Sequence, residues 1–293
     1  MKNVRNAFSL LIVGLLILST YSCSTHKKGL STIKRPSAEK IQYILDSICI
    51  EGKNLYHAER ANWIATDTVV AHFGMDAVGG SVRWQPADSI WCITFFDATQ
   101  QYTLMEMRYN CRNEEYGFTY TQRFLTDAEK NVMKLHNRMF ENAINNYRDS
   151  IHIANPEFGN PNFDFIRINN KTIRMYILQG TNKPNLIPFG LDYSFDFDYN
   201  GNVQAFRRYH QSLIPIPTVS EEGEKVGTPF HSHLKNNPYI TPTDICNFLL
   251  YRNPEMKQMY ILSTALDGYI IYQAENNSAV FLSKEAMDKI FNR

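Results

Sequence analysis

Four residues between positions 231 and 244 have the types and spacing of a metal site. His231 and His233 are separated by one residue, Thr241 follows after seven more, and Asp244 after a further two. Side chains alternate along a strand, so His231 and His233 would point to the same face. Thr241 before Pro242 predicts a helix start, with a capping hydroxyl and a proline at the first helical position. Two imidazoles and the Asp244 carboxylate would leave one position for water, as catalytic zinc sites do.

Each part of this pattern also has an interpretation that needs no metal. Thr-x-x-Asp at a helix start is a common capping box, and two histidines on one strand can be ordinary polar groups. His210, at the end of a strand that begins near Val203, is interpreted as an edge histidine. The alternative for His210 is an additional ligand, or a hydrogen-bond partner of a ligand.

The joint spacing resembles the signature of the JAMM (MPN-type) metalloproteases, His-x-His followed by Ser and Asp at the same intervals. The predicted order of a hairpin, the His-x-His strand, a loop, a helix and two strands agrees with that family. The resemblance implies that His231, His233 and Asp244 bind zinc, and that Thr241 replaces the serine whose hydroxyl helps to stabilise an oxyanion. It also implies hydrolysis of an amide or isopeptide bond in a peptide or protein substrate.

The general base that the resemblance requires, a glutamate on a strand before the first histidine, has no clear counterpart. No glutamate occurs between Glu157 and Glu221, so either no competent base exists or an aspartate in that window substitutes, with Asp192 favoured over Asp196. An aspartate is one methylene shorter, and general-base catalysis tolerates little misplacement. The alternative function is a non-catalytic lipoprotein that binds a peptide or protein partner on the same fold.

The first residues predict export and a lipid anchor. Residues 1–22 contain Lys2 and Arg5 followed by an apolar run, the layout of a secretory signal. Cys23 follows a small residue, which resembles a bacterial lipoprotein signal and implies that Cys23 is lipidated. Residues 23–37 predict a flexible tether. We therefore expect a protein anchored to a membrane of the bacterial cell envelope, outside the cytoplasm; the alternatives are an uncleaved anchor helix or an ordinary secretory signal.

The composition excludes some function classes. Thirty basic residues against 29 acidic ones give a net charge of +1, and no basic block provides the positive surface that nucleic acid requires. The four cysteines after Cys23 have no metal-cluster or C-x-x-C spacing. One disulfide is compatible with export, but the spacing selects no pair.

Periodicity predicts a mixed α/β (α+β) fold. Residues 38–120 are predicted to form one or two helices and an antiparallel meander. Residues 121–293 are predicted to form a JAMM-like mixed sheet with flanking helices. Within them, Thr126 and Glu129 indicate a capping box, and Asn200-Gly201 indicates a hairpin.

Overall fold

The computed structural model describes residues 35–291, so the predicted signal, Cys23 and most of the predicted tether lie outside the described residues. The first element among the described residues is one continuous helix, α1 (Ala38–Phe73), where the sequence predicts one or two. The hydroxyl of Ser37 caps this helix by accepting a hydrogen bond from the backbone N–H of Lys40. Gly52 permits a close crossing with a later helix, because a Cβ at that position would lie 2.7 Å from Cβ of Ile245.

The predicted meander is confirmed as a four-stranded antiparallel sheet in the order β1-β2-β3-β4. Alternate residues of its second strand, Trp91, Ile93 and Phe95, are buried in a core shared with α1. The strands are β1 (Val78–Ala87), β2 (Ile90–Asp97), β3 (Thr103–Asn110) and β4 (Tyr116–Thr119).

A second antiparallel sheet has the order β5-β6-β8-β9 and packs against helix α2 (Asp127–Tyr147). The predicted capping box at Thr126 and Glu129 begins α2, and Asn200-Gly201 joins β8 to β9. The strands are β5 (Pro161–Arg167), β6 (Ile173–Gln179), β8 (Tyr193–Phe197) and β9 (Val203–Arg208). A separate two-stranded pair consists of β7 (Leu186–Gly190) and β10 (Leu213–Pro217).

The carboxy-terminal sheet is mixed, as predicted, because β11 runs parallel to β12 while the remaining pairs are antiparallel. Its strands are β11 (Phe230–His233), β12 (Gln258–Ser263), β13 (Gly268–Gln273) and β14 (Ser278–Ser283). Helix α3 (Pro242–Tyr251) joins β11 to β12, and helix α4 (Lys284–Phe291) follows β14.

The described residues from Ser37 onward form one compact unit of the predicted mixed α+β class. The domain boundary predicted near residue 120 lies between β4 and α2. Tyr176 and Cys246, which follow that boundary in the chain, pack in the same core as the meander. None of the described helices is long and apolar enough to cross a membrane. Cys49, Cys92, Cys111 and Cys246 are all unpaired thiols.

Candidate metal centre

Four buried side chains bring their ligand atoms together at one point. They are His210, His231, His233 and Asp244, and the atoms that each can offer to a metal all lie within 4.8 Å of one another. Their exposed fractions are 6%, 5%, 2% and 1%. Buried imidazoles and carboxylates are costly unless they are paired or coordinated. The group could therefore hold a metal ion.

The distances between ligand atoms fit a single small ion. His233 Nε2 lies 3.0 Å from His210 Nε2 and 3.1 Å from His231 Nε2. Asp244 Oδ1 lies 3.2 Å from His231 Nε2 and 3.4 Å from His210 Nε2. Ligands about 2.0–2.1 Å from a tetrahedral zinc are separated from one another by roughly 3.3–3.4 Å. The observed separations between ligand atoms are close to those expected around a tetrahedral zinc.

Strand β11 supplies two of the four ligands in the predicted way. Its burial alternates, so that His231 and His233 are buried on one face while Phe230 and Ser232 are exposed. The parallel pairing with β12 fixes the position of both histidines along the sheet, with His231 opposite Ile261. The predicted same-face arrangement of the two histidines is confirmed.

The two oxygens of the Asp244 carboxylate, at the start of α3, have different partners. Thr241 is the N-cap, and both its backbone N–H and its hydroxyl lie 2.8 Å from Asp244 Oδ2. In return, the backbone N–H of Asp244 donates to Thr241 Oγ1. Asp244 Oδ1 is buried and has no hydrogen-bond partner among the described residues. The capping box therefore aims an unsatisfied oxygen at the histidines.

Hydrogen-bond acceptors beside His210 and His233 determine which nitrogen of each ring faces the cluster. His210 Nδ1 lies 2.8 Å from Asp192 Oδ1, and His233 Nδ1 lies 2.6 Å from the Tyr239 carbonyl oxygen. A carboxylate and a carbonyl only accept, so each Nδ1 carries a hydrogen, and an Nε2 that holds no second proton presents its lone pair to the cluster. Two such lone pairs facing each other at 3.0 Å repel unless a proton or a cation lies between them.

The electrostatics of the group favour positive charge. Burial disfavours a charged His210, but the carboxylates of Asp192 and Asp244 outweigh it and raise its pKa to about 9. Burial lowers the pKa of His231, against the attraction of Asp244. Burial also opposes ionisation of Asp244, yet the three surrounding imidazoles hold its pKa well below the usual range. A metal ion would supply the same positive charge by displacing a proton.

The structure places the two residues predicted to act in catalysis beside the ligands. Asp192 is 1% exposed, and its second oxygen accepts a hydrogen bond from the Thr243 hydroxyl. Both of its oxygens are thus occupied, which is the arrangement of a carboxylate that orients a ligand histidine. The hydroxyl of Thr241 lies between Asp244 and Thr243. The catalytic roles of Asp192 and Thr241 stay predictions.

His210 is the residue that the main sequence interpretation did not place in the site. The signal for it is the Asn200-Gly201 hairpin, since antiparallel pairing of Tyr193 with Arg208 brings the residues just beyond the pair together. The pairing continues to Asp192 and Tyr209, since the Tyr209 backbone N–H donates to the Asp192 carbonyl oxygen. His210 is the next residue, and its Nδ1 lies 2.8 Å from Asp192 Oδ1. Hairpin register thus connects two residues that are 18 positions apart in the chain.

A cavity of about 200 Å³ borders the cluster. His210 and His233 form part of its lining. The other lining residues are Tyr209, Gln211, Ser212, Ile214, Ser232, Leu234, Asn236 and Asn237.

Comparisons of this chain with protein-family models, curated proteins and solved structures found no match. The resemblance to JAMM metalloproteases therefore rests on the motif itself and stays a prediction.

Proposed function

We propose that this chain is a zinc-binding lipoprotein of the bacterial cell envelope whose His₃Asp centre holds the ion with four protein ligands. The observation that carries the proposal is the convergence of the ligand atoms of His210, His231, His233 and Asp244 in the buried interior. Envelope location and lipidation of Cys23 are inferred from the sequence alone.

The donor set favours zinc among the common metal ions. Three imidazoles and one carboxylate, at nearly tetrahedral separations, suit Zn²⁺. Calcium and magnesium prefer a full set of oxygen ligands, and copper(II) prefers a square arrangement.

The number of protein ligands favours a non-catalytic centre. Zinc sites with four protein ligands are typically structural, whereas catalytic sites keep one position for water. The four ligands come from the segment after β9, from β11 and from the first turn of α3. A shared ion would join the second sheet to the carboxy-terminal sheet and would fix the wall of the adjacent cavity, where a peptide partner would bind.

X-ray absorption at the zinc edge of the purified full-length protein tests this coordination. We expect three imidazoles and one carboxylate in wild-type protein, and two imidazoles in the His210→Ala variant. His152→Ala is the matched control, because that side chain is exposed and lies outside the cluster. A wild-type spectrum with two imidazoles, unchanged in His210→Ala, would contradict the four-ligand centre.

The cavity beside His210 and His233 favours a second candidate, a zinc-dependent hydrolase of amide or isopeptide bonds. Zinc supplies Lewis-acid activation of water and of a carbonyl group when it is bound in such a site. Gln211 and Asn236 line the cavity and would orient a peptide through their side-chain amides. Asp192 would hold the proton at His210 Nδ1 in this candidate as well.

A peptide-hydrolysis screen separates the two candidates. The hydrolase predicts turnover that is lost in His233→Ala and retained in His152→Ala. Zinc-loaded protein that has four protein ligands and no turnover supports the non-catalytic centre.

A further inference from the structure

A second cavity lies away from the metal centre, where α2 covers the junction of the first two sheets. It has a volume of about 230 Å³, and its lining comes from β1, β2, α2, β5 and β6 together with the turn before β9. None of its lining residues is a ligand of the metal cluster.

Most of the wall is aromatic or aliphatic. His136 stacks on Phe165 with ring centroids 4.1 Å apart and planes within 5°. Trp84 and Tyr199 are 36% and 45% exposed, so two aromatic rings remain open to a ligand. Val132 and Leu135 of α2 complete the apolar side. Such a wall suits a ligand with a flat apolar body.

The polar groups of the lining are mainly donors. Arg83, Gln85 and Arg167 contribute guanidinium and amide N–H groups, and none of the described residues that line the cavity is acidic. Trp91 also lines the cavity, and its indole N–H is buried without a hydrogen-bond partner among the described residues. A lining that offers hydrogen-bond donors and positive charge is complementary to a ligand that carries hydrogen-bond acceptors and negative charge.

The two arginines differ in their availability. Arg83 donates to Asp164 at 2.6 Å and to the Phe163 carbonyl oxygen, so its charge is already balanced. Arg167 is 48% exposed, and its carboxylate partner Asp88 lies 3.3 Å away with a side chain that is 99% exposed. Exposed pairs of this kind contribute little and exchange readily. Arg167 is therefore the cation that a ligand would engage.

We propose that this cavity binds a small carboxylate with an aromatic body, whose ring lies against Trp84 and Tyr199 and whose carboxylate binds Arg167. The ring would bury apolar surface on the aromatic wall, and the bidentate pairing would fix the orientation. The ligand class is independent of the metal and of the proposed function at the metal centre.

Tryptophan fluorescence of the full-length protein provides the test, because two of the three tryptophans of the chain line this cavity. Phenylacetate is the probe, and phenylacetamide is its uncharged match. We expect saturable quenching by phenylacetate and a dissociation constant about tenfold weaker, or more, for the amide.

Two variants and a control identify the site. Arg167→Gln should weaken phenylacetate binding about tenfold or more, and Val132→Phe should abolish it by filling the cavity. Arg112→Gln makes the same charge change at an exposed position elsewhere and should leave binding unchanged. Circular dichroism verifies that each variant is folded. Absence of quenching in folded wild-type protein, equal binding of the amide, or unchanged binding in Arg167→Gln would overturn the proposal.

Discussion

Removal of zinc should lower the melting temperature of the protein by roughly 8–16 °C. In the proposed centre, zinc would bind the folded state through residues from three separate segments, which unfolding disperses. Free zinc at a thousandfold excess over its dissociation constant stabilises the fold by about 4.1 kcal/mol. One kcal/mol shifts the melting temperature of a protein of this size by about 2–4 °C, and the product gives the expected range.

Differential scanning calorimetry of the full-length protein in detergent measures this effect. Wild-type protein is compared in buffered zinc and after chelation, beside His233→Ala and the exposed control His152→Ala. The zinc-dependent shift should vanish in His233→Ala and persist in His152→Ala, whatever each substitution does to the baseline stability. A shift below about 2 °C in wild-type protein, or an equal shift in His233→Ala, would refute the reasoning.

Three further predictions concern buried carboxyl groups. Asp192→Asn should weaken zinc binding about 10- to 100-fold in a chelator competition, because it removes the charge behind a ligand histidine; unchanged affinity would contradict this role. Burial opposes ionisation of Glu129, but hydrogen bonds from Arg123 lower its pKa to about 2, so its contribution exists above pH 4.5 and is lost as the pH falls toward 2. Glu129→Gln should thus reduce the unfolding free energy by about 2–3 kcal/mol at pH 7, and by little near pH 2, in urea titrations. Burial and the neighbouring Asp164 raise the pKa of Glu59 well above its usual range, so the contribution of Glu59 to stability falls as the pH rises above 4.5. Glu59→Gln should remove that contribution from the pH dependence in urea titrations, and an unchanged pH dependence would exclude a neutral Glu59.

The local parts of the candidate metal centre are predictable from the sequence. Alternation along a strand places His231 and His233 on one face, and a threonine before Pro242 defines the start of α3. Both arguments need only neighbouring residues, so they hold without knowledge of the rest of the fold.

The long-range parts are not predictable from local pattern. His210 reaches the site only because the β8–β9 hairpin returns it beside Asp192 and because two separate sheets meet there. The close approach of α1 and α3 at Gly52 similarly involves Ile245, a residue from a distant part of the chain. These features follow from register and packing between distant segments, which periodicity does not encode.

The metal content of the purified full-length protein, measured beside a His231→Ala/His233→Ala double variant, tests the central claim most directly. We expect about one zinc per chain in the wild-type protein and none in the double variant, with His152→Ala retaining the full amount. Wild-type protein without zinc after exposure to a zinc buffer, or equal zinc in the double variant, would contradict a His₃Asp zinc centre.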